Sequence, residues 1–309
     1  MRSVFVINGF LESGKTQFIK FTLRQPYFQC KGKTLLLLCE EGEEEYEESL
    51  LRETNTVVEV IEKQEDLIGS KLLELEKKHK PERILIEYNG MWPMDKLKFP
   101  WHWKLNQQIT IINAATWLMY YTNMRSMIGD MVRKSELIMF NRCDGIKELA
   151  SYKRNIRALN RDAEIYFEDS KGEVSATMEE ELPFDVSKPH IDLTEATYGI
   201  WFFDMLDTPD RYEGKEVSFL AHAAKPNGFH KGCFVPGRHA MTCCAEDIAF
   251  LGFIAKYEKA DEINDGAWYN VTATVKHEFW ADYKGEGPVL YISSVTPASA
   301  PKNEIINLV

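Results

Sequence analysis

Residues 3–16, SVFVINGFLESGKT, decide how this chain is read. Val4, Phe5, Val6 and Ile7 form an apolar run that leads into Gly9-x-x-x-x-Gly14-Lys15-Thr16. Phe18, Ile19, Phe21 and Leu23 then follow as the apolar positions of a helix. A buried strand, a glycine-rich turn and a helix are the context that a phosphate-binding loop (P-loop) requires. Gly9 and Gly14 let the backbone curl so that successive N–H groups point inward, and the helix adds its positive end. In this arrangement Lys15 reaches the terminal phosphates and Thr16 holds Mg²⁺, while Leu11, Glu12, Ser13 and Gln17 complete the nucleotide-binding run.

Downstream, apolar strands alternate with helical patterns. Lys33–Glu40, Val57–Glu62, Arg83–Gly90, Gln108–Ala114, Glu136–Asp144 and Ala163–Asp169 read as strands. Helices are expected over Gln64–Lys80, ended by Pro81, over Ala115–Lys134 and over Ile146–Leu159, while Met91–Trp103 reads as a packed surface loop. This alternation predicts a doubly wound, mostly parallel α/β sheet, a P-loop NTPase fold over residues 1–170.

Two strand ends carry further chemistry. RILIEYNG presents Glu87 at the carboxyl end of a central strand, where a Mg²⁺-water contact is made in such folds. ELIMFNRCD places Asn141-Arg142-Cys143-Asp144 just past another strand. Asp144 can accept both hydrogen bonds offered by the N1–H and 2-amino group of guanine, a pattern that adenine lacks; Asn141 can brace the loop and meet N7, and the Arg142 guanidinium can lie flat on the base. The acidic run EEGEEEYEES at 40–49 reads mainly as a solvated segment, with Glu40, Glu41 and Glu43 as candidates to position the attacking water.

The chain has 309 residues, 44% of them hydrophobic, and a net charge of −11. That length allows two domains, and the acidic balance argues against nucleic acid or a membrane surface as partner. With no run of about 18 apolar residues, no membrane span is expected, and no secretory signal is evident. Six irregularly spaced cysteines do not make a disulfide framework, so the cytosol is the expected compartment.

Residues 171–196 break the strand–helix alternation and read as a linker. Beyond them a short apolar helix precedes five strand-like runs: Glu216–Ala224, Gly232–Cys244, Ala249–Tyr257, Trp268–Phe279 and Pro288–Val295. They predict a small antiparallel β-barrel of the oligonucleotide/oligosaccharide-binding (OB) type over 197–309. Cys233, His230, His239 and one of Cys243 and Cys244 would form a site for Zn²⁺ or another transition metal if a hairpin brought them together; the remaining histidines read as structural or solvated.

Taken together, the phosphate and base motifs resemble the CobW-type branch of P-loop GTPases, relatives of the hydrogenase and urease nickel-insertion GTPases. The segment Gly9-Phe10-Leu11-Glu12-Ser13-Gly14-Lys15-Thr16 is similar to that family's opening loop. Glu40-Glu41-Gly42-Glu43 is similar to its E-x-G-E segment, and Glu87, Gly90 and Pro93 to its metal-side motif. Ala158-Leu159-Asn160 before Ala163 also resembles the family's L-N-P-x-A stretch. Arg142 stands where the base motif N-K-x-D carries lysine. The resemblance, over residues 3–168, implies GTP and Mg²⁺ as ligands and a slow GTPase that awaits a partner. Its nucleotide state would then control metal handling or a metalloprotein partner. The metal-handling members carry a C-x-C-C cluster before the Mg²⁺-side glutamate, whereas no cysteine lies between Cys39 and Cys143 here. Gly237-Arg238, Met241–Ala245, Asp247 and Trp268-Tyr269 resemble the YcgQ-like domain found with predicted bacterial permeases, which adds a permease as a candidate partner. A small-molecule kinase or ATPase on the same fold, and a nucleotide-stabilised scaffold without turnover, are the rival readings.

Overall fold

The computed structural model describes residues 1–174, 182–242 and 247–308. The chain divides into two compact units, Met1–Met178 and Glu179–Val309.

The first unit is organised by β1 (Arg2–Asn8), whose side chains alternate between two cores. Val4 and Val6 pack on one face, and Ile7 packs on the other against Ile19 and Leu23 of α1 (Lys15–Arg24). The chain continues through β2 (Thr34–Leu38), α2 (Glu48–Glu53), β3 (Thr56–Val60), α3 (Gly69–His79), β4 (Arg83–Glu87) and β5 (Trp103–Asn113). Two helices, α4 (Trp117–Asn123) and α5 (Arg125–Val132), lead to β6 (Leu137–Asn141), α6 (Leu149–Leu159), β7 (Glu164–Asp169) and β8 (Gly172–Glu173). The sheet order is β3-β2-β4-β1-β5-β6-β7-β8, parallel except for β7–β8. Both faces of the central strands are covered, which is why they read as continuous apolar runs. The order reverses around β1, so the crevice at the carboxyl ends of β1, β4 and β6 is where such sheets place ligands.

Several elements depart from the sequence expectation. The helix expected over 64–80 begins only at Gly69, because Leu67 is buried and Ile68 is extended. The helix expected over 115–134 breaks at Met124 (φ −132°), where the Asn123 side chain donates to the Met119 carbonyl. β5 starts five residues early, at Trp103, because a register shift between Val4 and Phe5 lets its polar first half pair with β1. Trp92, Met94, Leu97 and Phe99 pack the 91–103 loop onto the core.

The second unit holds β9 (His190–Asp192), α7 (Glu195–Asp207), β10 (Glu216–Ala224), β11 (Cys233–Met241), β12 (Ile248–Gly252), β13 (Ile254–Lys256), β14 (Trp268–Trp280), β15 (Gly285–Pro297) and β16 (Ile305–Asn307). Strands β10, β11, β13, β15 and β14 close into a five-stranded barrel, since β10 pairs with both β11 and β14. This is the OB-type order, but β13 and β15 run parallel, so the barrel is not wholly antiparallel as expected. The run expected over 249–257 splits into β12 and β13 opposite Pro236, which has no N–H for the ladder. The intervening Phe253 stacks on Phe202 of α7. Two strands come from the stretch expected as a linker: β8 extends the first sheet and β9 pairs with β10. No helix among the described residues is long and apolar enough to cross a membrane.

Glu76 ties the entry of the first sheet together. Its carboxylate accepts from Arg2 at 2.8 Å, from Trp103 at 2.9 Å and meets His102 at 2.7 Å. Burial alone would raise its pKa, but the bonds from Arg2, Trp103 and His102 outweigh burial and bring it down to about 2. A depressed carboxylate pKa contributes stability above the unfolded value of 4.5 that is lost as pH falls toward 2. Glu76→Gln is therefore expected to lower the urea midpoint of the first unit at pH 7, with the gap from wild type closing as pH drops from 4.5 to 2. An equal gap at both ends of that range would refute this account.

Candidate functional site

The loop between β1 and α1 turns beneath the carboxyl ends of β4 and β6. Gly14 has φ +99°, and a Cβ there would sit 2.5 Å from Asn141 Nδ2. Gly90, just past β4, could carry no Cβ either, because it would lie 2.3 Å from the Gly9 carbonyl oxygen. These approaches bring three chain segments within contact of one another.

Lys15 is buried and donates to the Gly9 carbonyl at 2.9 Å, the Phe10 carbonyl at 3.0 Å and Glu40 Oε2 at 2.7 Å. Thr16 Oγ1 donates to Glu87 Oε1 at 2.7 Å, and the Tyr46 hydroxyl donates to Glu87 Oε2. Glu87 is 2% exposed. Burial pushes its pKa up, against the opposing effect of the Tyr46 and Thr16 hydrogen bonds and the Lys15 charge. A hydroxyl beside a buried carboxylate is a hard oxygen donor set that fits Mg²⁺.

A cavity of about 350 Å³ lies over this group, lined by Lys15, Thr16, Glu40, Gly42 and Glu87 among others. A second, of about 430 Å³, is lined by Phe18, Phe21, Met139, Asn141, Asp144 and Ser170 among others. Gly14, Gln17 and Arg142 border both cavities. Asn141 Nδ2 donates to the Ser13 carbonyl at 2.8 Å, while Asn141 Oδ1 and Ser13 Oγ are buried with no hydrogen-bond partner. Arg142, at φ 55°, donates to the Glu12 carbonyl at 3.0 Å. Asp144 accepts from Ser170 N and Oγ, which hold its pKa below the usual carboxylate range.

The acidic run is held in place rather than merely solvated. Lys20, nearly buried on α1, pairs with Glu44 at 2.5 Å and Glu47 at 2.6 Å and donates to the Glu45 carbonyl at 3.1 Å. Glu43 N donates to Glu12 Oε1 at 2.9 Å, and Gln17 hydrogen-bonds Glu44. Segment 40–47 thus borders the phosphate cavity on one side.

The proposed metal residues of the second unit are not gathered together. Cys233 and His239 stand six residues apart on β11, which is about 20 Å. His230 pairs with Asp282 at 2.7 Å and sets its ring edge-on to Trp280. Cys243 and Cys244 lie outside the described residues. Among the described residues no three His, Cys, Asp or Glu side chains converge on one point.

The fold of the first unit and its paired cavities define a P-loop NTPase. Residues 3–167 match the family model of the CobW/HypB/UreG nucleotide-binding domain, and the chain belongs to that family of GTPases. Residues 168–306 match the DUF1980 C-terminal domain. The UPF0703 protein YcgQ of Bacillus subtilis (strain 168) is 22% identical over 120 residues, 39% of this chain and 42% of that protein. The chain therefore spans about two fifths of that relative's length. Hydrogenase maturation factor HypB of Archaeoglobus fulgidus is similar over 55% of this chain and 82% of its own, at 18% identity and a TM-score of 0.40. The Zn(II)-bound YjiA GTPase of E. coli is similar over 88% and 93%, at 14% identity and a TM-score of 0.41.

Sequence reading missed Tyr46, Lys20 and Ser170. Tyr46 is the one aromatic in an acidic run, and Ser170 directly follows β7, at the carboxyl edge where ligands gather; both signals were present. Ser170→Ala removes a hydroxyl donor to a charged acceptor, worth about a tenfold effect. Guanine-nucleotide affinity is expected to fall by about that factor, while adenine-nucleotide affinity stays unchanged. Parallel fluorescence titrations check this, and equal losses for both nucleotides would refute it.

Proposed function

We propose that this chain binds GTP and hydrolyses it to GDP and phosphate. The observation that carries this reading is the pair of adjoining cavities that share Gly14, Gln17 and Arg142, one lined by Lys15, Thr16 and Glu87 and the other by Asn141 and Asp144. In this reading the triphosphate lies along the loop from Leu11 to Gln17. Lys15 Nζ exchanges its Glu40 partner for a terminal phosphate oxygen, and the loop N–H groups and the start of α1 hold the remaining negative charge. Asp144 accepts from the guanine N1–H and 2-amino group, and Asn141 braces the loop through the Ser13 carbonyl. Thr16 and Glu87 would hold Mg²⁺, which supplies neutralisation of charge on the β- and γ-phosphates. A water attacks the γ-phosphorus, and the bond to the β,γ-bridging oxygen breaks. Glu40, Glu41 and Glu43 are the candidates to orient that water.

The exchange at Lys15 gives the nucleotide a route to the rest of the molecule. Once Glu40 loses Lys15, segment 40–47 keeps its Lys20 and Glu12 contacts but sheds its anchor at the phosphate end. We read this as the switch through which GTP controls a protein partner or a metal-transfer step in the cytosol, with slow turnover until the partner binds.

Full-length protein titrated with GTP and ATP is expected to prefer GTP, and Asp144→Asn to reduce that preference by roughly tenfold or more. Lys15→Ala is expected to abolish turnover. Equal affinity for ATP and GTP, or a GTP preference untouched by Asp144→Asn, would overturn the assignment and favour a kinase or ATPase. Hydrogen exchange over residues 40–47 that does not change with GTP would overturn the switch.

A further inference from the structure

We propose that His222 and His239, on neighbouring strands of the barrel, form a two-imidazole site for an exchangeable divalent transition ion, with Zn²⁺ as the reference. The site shares no residue with the nucleotide cavities and does not depend on the GTPase reading.

The strand register brings the two rings together. His222 on β10 stands opposite Gly237 on β11, and His239 is two residues further along β11, so both project from the same face. Their ring centroids are 5.1 Å apart, with planes tilted by 63°. With Zn–N bonds of about 2.0–2.1 Å, two imidazoles on one tetrahedral ion have centroids roughly 5 Å apart. The rings thus already stand at the separation that a shared ion requires.

Aromatic side chains surround the two rings. The Phe250 ring lies over Gly237, where a Cβ would come within 2.7 Å of it. Its centroid is 5.1 Å from that of His239 and 6.3 Å from that of His222. Trp268 stands at 5.3 Å on the other side of His222. The two rings thus stand among aromatic side chains. His222 Nδ1 is buried without a hydrogen-bond partner, the kind of orphan that a bound ion explains.

Two imidazoles select borderline ions over Mg²⁺ or Ca²⁺. Two protein ligands leave the other positions to water or to an incoming ligand, which suits an ion that is passed on rather than one that holds the fold together. Spacing alone groups His239 with His230, Cys233 and one of Cys243 and Cys244 and reads His222 as structural or solvated, whereas the strand register sets His239 beside His222.

The test is Zn²⁺ competition titration of chelator-stripped full-length protein against a chromophoric chelator, with Co²⁺ absorption as a second readout. Wild type is expected to bind one ion, and His222→Ala and His239→Ala each to weaken binding by at least about tenfold, with GTP affinity unchanged. Because either variant could disturb the barrel, wild type is also footprinted with diethyl pyrocarbonate, where Zn²⁺ is expected to protect both His222 and His239. The proposal is overturned if Zn²⁺ leaves both histidines reactive. It is equally overturned if both alanine variants bind as wild type does while Cys243→Ser/Cys244→Ser loses the ion.

Discussion

Glu87 places a carboxylate where water hardly reaches it, at the end of the strand that lies beside β1. The β1–β4 register sets Ile7 against Glu87, so the acid stands next to the point where the phosphate-binding loop begins. An ionised carboxylate sealed from water costs several kcal/mol unless hydrogen bonds and opposite charge offset it. Thr16 and Tyr46 each donate to one of its oxygens, and Lys15 supplies positive charge nearby. Burial and the Glu40 charge still hold its pKa up. The remaining imbalance is of the sign that a divalent cation would correct, in line with the proposed Mg²⁺ site.

The same arithmetic of charge accounts for the acidic run. Seven glutamates between 40 and 48 repel one another, and a free segment of that composition would extend into solvent. Lys15 and Lys20, one turn or so apart on α1 and both nearly buried, hold it at two points. Lys20 has no other role in sight, and its two carboxylate partners more than compensate for its burial, since its pKa is raised. On the proposed reading Lys15, by contrast, also serves the phosphates. A segment anchored by one permanent and one contested lysine is stable in place and releasable at one end, which is what a nucleotide-controlled contact needs.

The parts of the fold written locally were legible in the sequence. Continuous apolar runs marked β2, β4 and β6 because those strands are buried on both faces, and glycine with Pro81 marked the turns and the stop of α3. What the sequence did not show depended on partners distant along the chain. The polar first half of β5 pairs with β1 through a register shift, and β13 is set off from β12 by Pro236 across the ladder. Lys15, Thr16, Asn141 and Asp144 could be named from spacing because a loop and strand ends carry them. Tyr46 and Ser170 carried weaker signals, an aromatic in an acidic run and a hydroxyl just past β7, because each acts through a carboxylate 41 or 26 residues away. The His222–His239 pair is the same case: 17 residues of sequence separate two rings that a two-strand register places side by side.

Ligand chemistry divides between the two units along lines that burial sets. Near the nucleotide cavities the donors are hydroxyl and carboxylate oxygens, which suit Mg²⁺. Cys39 is buried near that site, and burial and the charges of Glu87 and Glu40 push its thiol far above the usual range. Cys143 beside the base loop is likewise pushed up, to about 11, chiefly by burial. The C-x-C-C cluster is absent between Cys39 and Cys143. Imidazoles between aromatic rings in the second unit are nitrogen donors that suit borderline ions. On the two proposed readings a transition ion follows the barrel and Mg²⁺ the loop, so the two sites would not compete for the same metal.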